Sequence, residues 1–236
     1  MAHKKLIRFA ELESFDNVLQ FPENIKGKWA EFLKNENPIV LELACGKGEY
    51  AVGLGMIYPQ KNFIGIDIKG NRIWVGAKKA LESKLNNVAF LRTQIDQVNE
   101  YFSNAEVSEI WITFPDPQLR KSKARKRLTH PKFLRLFQQI LQPGGLIHLK
   151  TDSPDLFNFT KLVIDKYGLI LHEERDDVHA GSNLPDELKI TTHYEGLDIA
   201  ESRKIHYLKF SLPTVQLRDD DTALHELIKA DDPAAD

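Results

Sequence analysis

The residues best placed to do chemistry lie in TFPDPQLRKSKARKRLTHPKF, a stretch that begins at Thr113 as the end of a buried strand. Its single carboxylate, Asp116, lies between Pro115 and Pro117, whose rings restrict the backbone and fix the presentation of the side chain. A carboxylate at the carboxyl end of a strand occupies the place where α/β proteins bind ligands. The alternative is an ordinary carboxylate that caps a turn, but the flanking prolines favour a functional role.

The segment that follows Asp116 is the most basic part of the chain. It extends to Asp152 without another Asp or Glu, although the formal net charge of the whole protein is only -2. Its positive residues are Arg120, Lys121, Lys123, Arg125, Lys126, Arg127, Lys132, Arg135 and Lys150. Because no acidic residues alternate with them, helix-stabilising ion pairs do not explain the run, although a solvated helix face still could. Segregated charge of this kind produces a strong local field and suits a partner that carries phosphate groups.

A second candidate site is the glycine turn in LELACGKGEY, which follows the first predicted strand. Gly46 and Gly48 have no Cβ, so the backbone can turn tightly there and approach a ligand. The dinucleotide fingerprint G-x-G-x-x-G is not met, because Ala44 occupies its first position and its third glycine is missing. Asp67 ends the next strand, where a carboxylate can bind ribose hydroxyls.

Glu42 helps to distinguish between the ligands that such a turn could hold. It lies in the strand just before the turn, where its carboxylate would repel a pyrophosphate and attract the ammonium and sulfonium of S-adenosylmethionine. The sequence therefore favours S-adenosylmethionine over NAD, with a strand-end turn in some other α/β protein as the alternative. Cys45 is expected to be a small buried residue, since no neighbouring base would activate its thiol.

Short apolar runs alternate with helical patterns along the chain, and this alternation predicts an α/β fold with a mostly parallel sheet and helices on both faces. The predicted strands are Pro38–Ala44, Asn62–Ile68, Asn87–Arg92, Glu109–Phe114, Gly145–Thr151 and a late antiparallel strand at or near an edge, Ile205–Leu212. The predicted helices are Glu49–Tyr58, Asn71–Lys84, Pro131–Leu141 and Asp155–Tyr167. QPGG, from Gln142, marks a helix stop, and residues 175–204 are predicted to be rich in loops.

Length and composition limit the organisation of the protein. The 236 residues are predicted to form a single domain, 1–236, in which an N-terminal extension (about 1–20) and a C-terminal tail (about 214–236) are peripheral. The terminal DDPAAD is expected to be disordered. One cysteine excludes a disulfide framework, and the histidines show no spacing typical of a metal site. With neither a secretory signal nor an apolar run long enough to cross a membrane, we expect a cytoplasmic protein that binds no metal.

The glycine turn and the FPDP stretch together give the chain a resemblance to the bacterial tRNA (guanine-N7)-methyltransferase family, over most of its length. NVLQFPE, near the start, is similar to that family's N-terminal segment, and LELACGKG and GIDIKGNRI are similar to its first two cofactor motifs. FPDP with its basic run, then LKTD and THYE, complete the series in the same order and spacing. FPDP combined with the later TD and T-x-Y-E is far more specific than the glycine turn.

The resemblance implies a Rossmann-like methyltransferase fold and a tRNA substrate that is methylated at N7 of a guanine, expected in the variable loop. It makes Asp116 the catalytic residue. It places S-adenosylmethionine against Glu42, Gly46, Gly48, Asp67, Gln94 and Asp116. It assigns the guanine side of the site to Asp152, Thr192, His193, Tyr194 and Glu195. Contacts with the tRNA are expected from the basic segment, at Arg120, Arg125, Lys126 and Arg127.

The chain departs from the family pattern at a few positions. Gln94 stands where the family has an aspartate near the adenine pocket, and an amide can still hydrogen-bond the adenine edge. Gln118 replaces a tryptophan after PDP, Arg120 replaces a lysine, and KSKARKR lacks the usual histidine. Two alternatives stay open: a methyltransferase that acts on a small molecule or a protein, and a non-catalytic RNA-binding protein on a methyltransferase fold.

The chemistry expected of such a site is mainly alignment. Guanine N7 carries a free lone pair, so its methylation requires no removal of a proton, and the site has to bring N7 in line with the methyl group. Asp116 can accept hydrogen bonds from guanine N1–H and N2–H, which adenine cannot supply, and can offset positive charge on the purine. Asp152 can share that role, although Ser153 and Pro154 also fit it to a helix start. Moving the target guanine out of its base stack would cost a few kcal/mol of free energy, and contacts between the basic residues and the RNA would offset that cost.

Overall fold

The computed structural model of the protein describes residues 2–180, 183–197 and 204–230, so the disorder predicted for 231–236 lies outside the described residues. The described strands are β1 (Val18–Gln20), β2 (Ile39–Leu43), β3 (Asn62–Asp67), β4 (Val88–Arg92), β5 (Val107–Thr113), β6 (Leu141–Thr151), β7 (Ile170–Arg175) and β8 (His206–Ser211). They form one sheet in the spatial order β1-β4-β3-β2-β5-β6-β8-β7. The strands from β1 to β6 pair in parallel, whereas β8 runs antiparallel to both of its neighbours.

Helices cover both faces of this sheet. The described α-helices are α1 (Ala2–Leu12), α2 (Trp29–Leu33), α3 (Glu49–Ile57), α4 (Gly70–Glu82), α5 (Pro131–Ile140), α6 (Pro154–Tyr167) and α7 (Thr222–Ala230). Successive side chains of a strand point to opposite faces, so β2 contributes to two separate cores. Leu41 joins the core that contains Phe137 of α5, whereas Val40 joins the core that contains Ala77 of α4.

The predicted α/β class, with a mostly parallel sheet and a late antiparallel strand, is confirmed. The predicted strands correspond to β2 to β6 and to β8, and the predicted helices correspond to α3 to α6. The start of β6 differs, because this strand begins at Leu141 rather than at Gly145. Leu141 pairs with Val107 and Leu146 pairs with Glu109, so residues 142–145 form an irregular bulge between the two pairs.

The segments predicted to be peripheral pack against the rest of the domain. β1 extends the sheet beside β4, and α1 contacts α4 and buries Leu12. At the other end of the chain, Asp221 precedes α7 and lies 2.7 Å from the guanidinium of Arg135 in α5. No helix in the described part of the chain is long and apolar enough to cross a membrane.

Candidate active site

A cleft of about 740 Å³ opens at the carboxyl ends of the parallel strands, beside the glycine turn. The carboxyl ends of adjacent parallel strands meet at one edge of a sheet, which is why residues distant in sequence converge there. Eight of the predicted site residues line the cleft: Glu42, Gly46, Asp67, Gln94, Asp116, Asp152, Thr192 and Tyr194. The structure thus brings most of the residues predicted to bind the cofactor, all but Gly48, together with several of those predicted to bind the base.

The backbone of the glycine turn adopts left-handed conformations, with φ values of 56° at Ala44, 55° at Gly46 and 68° at Gly48. Gly46 lines the cleft, whereas Gly48 does not. A Cβ at Gly48 would lie 2.4 Å from Cε1 of Phe90, so this glycine allows the turn to pack closely against β4. Gly48 therefore has a packing role in the turn, and the lining of the cleft gives no support to its predicted contact with the cofactor.

Asp67 is buried at the end of β3, where its carboxylate holds the glycine turn in place. Its Oδ2 atom accepts a hydrogen bond from the backbone N of Gly46 at 3.0 Å, and Oδ1 accepts one from the backbone N of Lys69 at 2.8 Å. These two bonds fix the orientation of the carboxylate. A carboxylate can accept about four hydrogen bonds, so Asp67 retains capacity for hydroxyl groups of a ligand.

Glu42 is a buried carboxyl group in β2, on the floor of the cleft. It accepts hydrogen bonds from the backbone N of Ala51 at 2.8 Å and from the Thr113 hydroxyl at 3.0 Å. Burial raises the pKa of Glu42 to about 8, and the negative charges of Glu49 and Asp67 add to the rise. A cation bound in the cleft would stabilise the ionised form of this group.

Asp116 is exposed and lines the cleft from the turn that follows β5. Its Oδ1 atom accepts a hydrogen bond from the backbone N of Gln118 at 3.0 Å. Phe114 and Gln118 flank the turn with φ values of 47° and 48°. A left-handed conformation costs a residue with a Cβ about 1–2 kcal/mol, so contacts around the turn have to hold it. One such contact is the hydrogen bond from Phe114 N to Lys150 O, at 2.8 Å.

Arg127 differs from the other residues predicted to contact tRNA, because it is buried. The residue is only 6% exposed. Its Nε atom donates a hydrogen bond to Pro117 O at 3.1 Å, and Nη2 donates one to Gln118 O at 3.2 Å. The guanidinium also lies 4.5 Å from the centroid of the Phe159 ring. These internal contacts hold the turn of Asp116, and the burial of Arg127 gives no support to its predicted contact with tRNA phosphates.

The other predicted tRNA contacts lie on the surface. Arg120, Arg125 and Lys126 are exposed, in the segment that directly follows the Asp116 turn. Arg125 and Lys126 belong to a short 3₁₀ helix, Lys121–Lys126, in which Ala124 is buried and anchors the segment. The positive charges therefore stand next to the cleft, where they can attract the phosphates of a bound nucleic acid.

A loop between β7 and β8 contributes Thr192 and Tyr194 to the wall of the cleft. Arg72 of α4 lies 5.7 Å from the centroid of the Tyr194 ring. The backbone N of His193 donates a long hydrogen bond, 3.4 Å, to a carboxylate oxygen of Glu49. Thr192 and Tyr194 are thus placed where a base could contact them, whereas the His193 side chain is exposed and does not line the cleft.

Glu195, which was predicted to contact the guanine, has its carboxylate engaged inside the protein. One oxygen lies 2.9 Å from Nζ of Lys150, and the other lies 3.0 Å from Nε2 of His179. The Glu195 side chain is only 7% exposed and does not line the cleft. Its contacts tie the loop to the end of β6.

Sequence reasoning missed several residues that line the cleft: Glu49, Lys69, Arg72, Thr93, Thr113, Phe114, Leu119 and Ser153. Thr93 and Thr113 could have been found, because they stand at the carboxyl ends of parallel strands where sites form. Arg72 has no comparable signal, since its position depends on how α4 packs.

Cys45 is buried, and burial raises the pKa of its thiol well above the ordinary value. A protonated thiol is a poor nucleophile, which agrees with the predicted role of Cys45 as a small buried residue. Among the described residues, no group of three or more His, Cys, Asp or Glu side chains is arranged to hold a metal ion.

The fold is similar to that of solved methyltransferase structures. The chain matches the structure of an antibiotic-related methyltransferase with a TM-score of 0.60 and 15% identity, covering 84% of this chain and 96% of the other. It matches the 16S rRNA methyltransferase KamB with a TM-score of 0.58 and 17% identity, covering 78% and 92%. At such low identities the likeness shows the fold alone, and it confirms the predicted Rossmann-like methyltransferase fold.

The sequence has much closer relatives. A family described as putative methyltransferase matches residues 36–208. The tRNA (guanine-N(7)-)-methyltransferase of Bacteroides fragilis (strain YCH46) is 46% identical over 222 residues, which cover 90% of this chain and 87% of the relative. That of Porphyromonas gingivalis (strain ATCC BAA-308 / W83) is 46% identical over 224 residues, covering 89% and 91%. The chain therefore belongs to the tRNA (guanine-N(7)-)-methyltransferase family, as its motifs predict.

Proposed function

We propose that this protein transfers a methyl group from S-adenosylmethionine to N7 of a guanine in tRNA, that the guanine lies in the variable loop, and that the reaction takes place in the cytoplasm. The observation that carries the proposal is a single cleft in which the buried carboxyl groups of Glu42 and Asp67 meet the exposed carboxylate of Asp116. Membership of the family supports the choice of substrate and of acceptor atom.

The groups in the cleft fit S-adenosylmethionine. The buried carboxyl of Glu42 can pair with an ammonium group, Asp67 can accept hydrogen bonds from ribose hydroxyls, and the Gln94 amide can bond an adenine edge. When bound, S-adenosylmethionine supplies a methyl group on a positively charged sulfur, and the guanine N7 lone pair forms the new N–C bond as the C–S bond breaks. The protein has to hold the two reactants in line and exclude competing geometries.

We assign recognition of the guanine to Asp116. Its Oδ1 atom is held by the backbone N of Gln118, which fixes the carboxylate and leaves Oδ2 to accept hydrogen bonds from guanine N1–H and N2–H. The fixed negative charge also offsets the positive charge that the purine acquires during methylation. Asp116 thus orients and stabilises the base without moving a proton. Asp152 lines the same cleft and can share this role.

The exposed cations beside the cleft complete the substrate site. Arg120, Arg125 and Lys126 are placed to contact tRNA phosphates near the target nucleotide. Such contacts position an RNA and strengthen its binding without reading the sequence of the bases.

Methylation of unmodified tRNA tests the proposed function. A tRNA transcribed in vitro is incubated with the protein and labelled S-adenosylmethionine, then treated with borohydride and aniline, which cleave RNA at N7-methylguanine because its charged ring is easily reduced. We expect incorporation of label and cleavage at a guanine of the variable loop, and neither in a transcript that carries adenine there. Incorporation without cleavage would mean another acceptor atom. Binding of tRNA without incorporation would favour the non-catalytic alternative.

A further inference from the structure

Lys150 is an unusual lysine, because its ammonium group is completely buried at the end of β6. Nζ donates hydrogen bonds to Leu188 O at 3.1 Å, to Ile190 O at 3.0 Å and to Glu195 Oε2 at 2.9 Å. An ammonium group has three hydrogen-bond donors, so these acceptors satisfy all of them. All three acceptors belong to the loop between β7 and β8.

The surroundings of Lys150 strengthen this attachment. The rings of Tyr50 and Phe114 have their centroids 5.3 and 5.8 Å from Nζ, and both present aromatic faces that favour a cation. Burial lowers the pKa of Lys150 below its ordinary value, and the charge of Glu195 opposes that shift. Attraction between opposite charges is stronger in such a poorly solvated place than at a surface.

The loop held by Lys150 is the one that forms a wall of the cleft. Leu188 and Glu195, which both accept hydrogen bonds from Lys150, lie in the sequence on either side of the segment that carries Thr192 and Tyr194. Within that segment, the backbone N of Glu195 donates a hydrogen bond to the Thr192 hydroxyl at 3.2 Å. The position of Glu195 therefore affects the position of Thr192 directly.

We propose that Lys150 is a positioning residue, which acts through Glu195 to fix Thr192 and Tyr194 against the target guanine. Glu195 is then an anchor of this wall rather than a ligand of the guanine. The proposal deepens the proposed methylation of tRNA and rests on it.

A second attachment of the same loop provides a matched control. The Tyr58 hydroxyl donates a hydrogen bond to the Glu187 carboxylate at 2.9 Å. Neither Tyr58 nor Glu187 lines the cleft, and Glu187 lies outside the segment from Leu188 to Glu195 that Lys150 holds. Tyr58→Phe removes one hydrogen bond from the loop and leaves the ion pair intact, so it should not change the methylation rate.

The experiment compares Lys150→Met, Glu195→Gln and Tyr58→Phe in tRNA methylation, binding of S-adenosylmethionine and amide hydrogen exchange of residues 188–197. Lys150→Met should lower kcat by about 10- to 100-fold, because displacements of about 1 Å at a reacting centre cost rate on that scale. Glu195→Gln keeps an oxygen for Lys150 and should lose less, about 3- to 10-fold, since neutral hydrogen bonds are weaker. Both variants should speed exchange in the loop and leave the Kd of S-adenosylmethionine unchanged.

Combining the two changes tests whether they act through one contact. Lys150→Met with Glu195→Gln should be no slower than Lys150→Met alone, because the neutral amide no longer leaves a buried carboxylate without its partner. Losses that multiply would show that Glu195 acts on the guanine independently, and would overturn the proposal. The proposal would also be overturned if the affinity for S-adenosylmethionine fell as much as kcat. An unchanged kcat together with faster amide exchange in the loop would overturn it as well.

The proposal can still be tested if Lys150→Met does not fold or if the protein does not methylate tRNA. If Lys150→Met does not fold, Glu195→Gln decides: lower kcat with faster loop exchange and unchanged cofactor binding supports the proposal, and any other pattern overturns it. If the protein without any substitution does not methylate tRNA, the proposed function itself fails. Exchange of the loop amides then still shows whether Lys150 holds the wall.

Discussion

Arg127 and Asp116 are linked through the turn that lies between them. The Arg127 guanidinium donates hydrogen bonds to the carbonyl oxygens of Pro117 and Gln118 at 3.1 and 3.2 Å. The backbone N of Gln118 in turn donates to Asp116 Oδ1 at 3.0 Å. A buried arginine therefore holds the two residues that follow the proposed catalytic carboxylate. Its rigid fork of donors can bond two carbonyl groups at once, which a lysine cannot do in the same geometry.

Arg127→Lys is expected to lower kcat for methylation by about tenfold or more, because a carboxylate that shifts by a fraction of an ångström no longer aligns the base. Loss of the two buried hydrogen bonds should also lower the free energy of unfolding by about 1–3 kcal/mol. The affinity for tRNA should change little, since the guanidinium is buried and bonded within the protein. Kinetics, urea denaturation and filter binding measure the three quantities. A weaker tRNA affinity at unchanged kcat would restore the original prediction that Arg127 binds phosphate.

Asp116→Ala is expected to lower methylation about 100-fold or more, because it removes both the orienting acceptor and the fixed charge. Binding of S-adenosylmethionine, measured by calorimetry, should stay nearly the same. Asp116→Asn keeps one acceptor oxygen and loses the charge, so partial activity would favour orientation over charge as the main contribution. Asp165→Ala, at a well-exposed carboxylate on α6, is the control and should have full activity. Full activity of Asp116→Ala would exclude the role that we assign to this turn.

Charge reversal at Arg125 and Lys126 is expected to weaken tRNA binding and to flatten its salt dependence. Each lost phosphate contact should reduce the negative slope of log K against log salt by about 0.7–0.9. Filter binding over a series of salt concentrations gives the slope. Reversal of Lys34 and Lys84, which precede β2 and β4 at the opposite end of the strands, is the matched control. Equal effects of the two pairs would mean that general charge, rather than a local surface, binds the RNA.

Binding of S-adenosylmethionine near pH 7 is expected to release about one proton from Glu42. With its pKa raised by burial to about 8, the carboxyl group of the free protein is mostly protonated at pH 7. A bound cation favours the ionised form and lowers that pKa, so the proton leaves. The release should decrease as the pH rises through 8 and disappear well above it, where the carboxyl group is already ionised. Calorimetry in phosphate and Tris buffers measures it through their different ionisation enthalpies, and Glu42→Gln should show none.

Gly48→Ala is expected to lower the free energy of unfolding by about 2–4 kcal/mol. The added Cβ would overpack the contact with Phe90, and alanine disfavours the left-handed backbone conformation of this position. The added Cβ would lie 2.4 Å from Cε1 of Phe90. Thermal and urea unfolding of the protein without any ligand measure the effect. Gly144→Ala is the control for the backbone contribution, because its φ is 76° and nothing lies within 4 Å of its added Cβ. A loss no larger than that of Gly144→Ala would mean that Phe90 simply moves aside.

The strands that sequence patterns predict are those whose side chains are buried. All residues of β2 and β3 are buried, and such runs of apolar side chains are recognisable without a structure. β7 is an edge strand with the sequence ILHEER, and its side chains are exposed or half-buried, so it has no apolar pattern to detect. β1 has only three residues. Their positions are determined by pairing with β8 and β4 and not by their own composition.

In the cleft, the sequence predicts which residues meet better than it predicts the partner of each residue. The sequence correctly brings Glu42, Asp67 and Asp116 to one place, because strand order determines where the carboxyl ends meet. It cannot distinguish Arg127 from Arg125, since burial depends on how the chain folds back over Phe159. Nor does the sequence show that Glu195 faces a buried lysine, because this contact joins distant segments of the chain.

The sheet order also determines when β7 can find its strand partner during synthesis of the chain. β8 lies between β6 and β7, so β7, at the edge, leaves the ribosome before the only strand beside it in the described sheet. The nascent chain therefore holds β7 without its strand partner until residues 206–211 emerge, whereas Lys150, which holds the loop that carries Thr192, emerges before that loop. Domains often fold as they are made, but here the β7 edge of the sheet depends on one of the last described segments to be translated. A nascent chain that ends before β8 would carry every residue proposed to bind the cofactor or the guanine, yet it would lack the strand that joins β7 to the sheet.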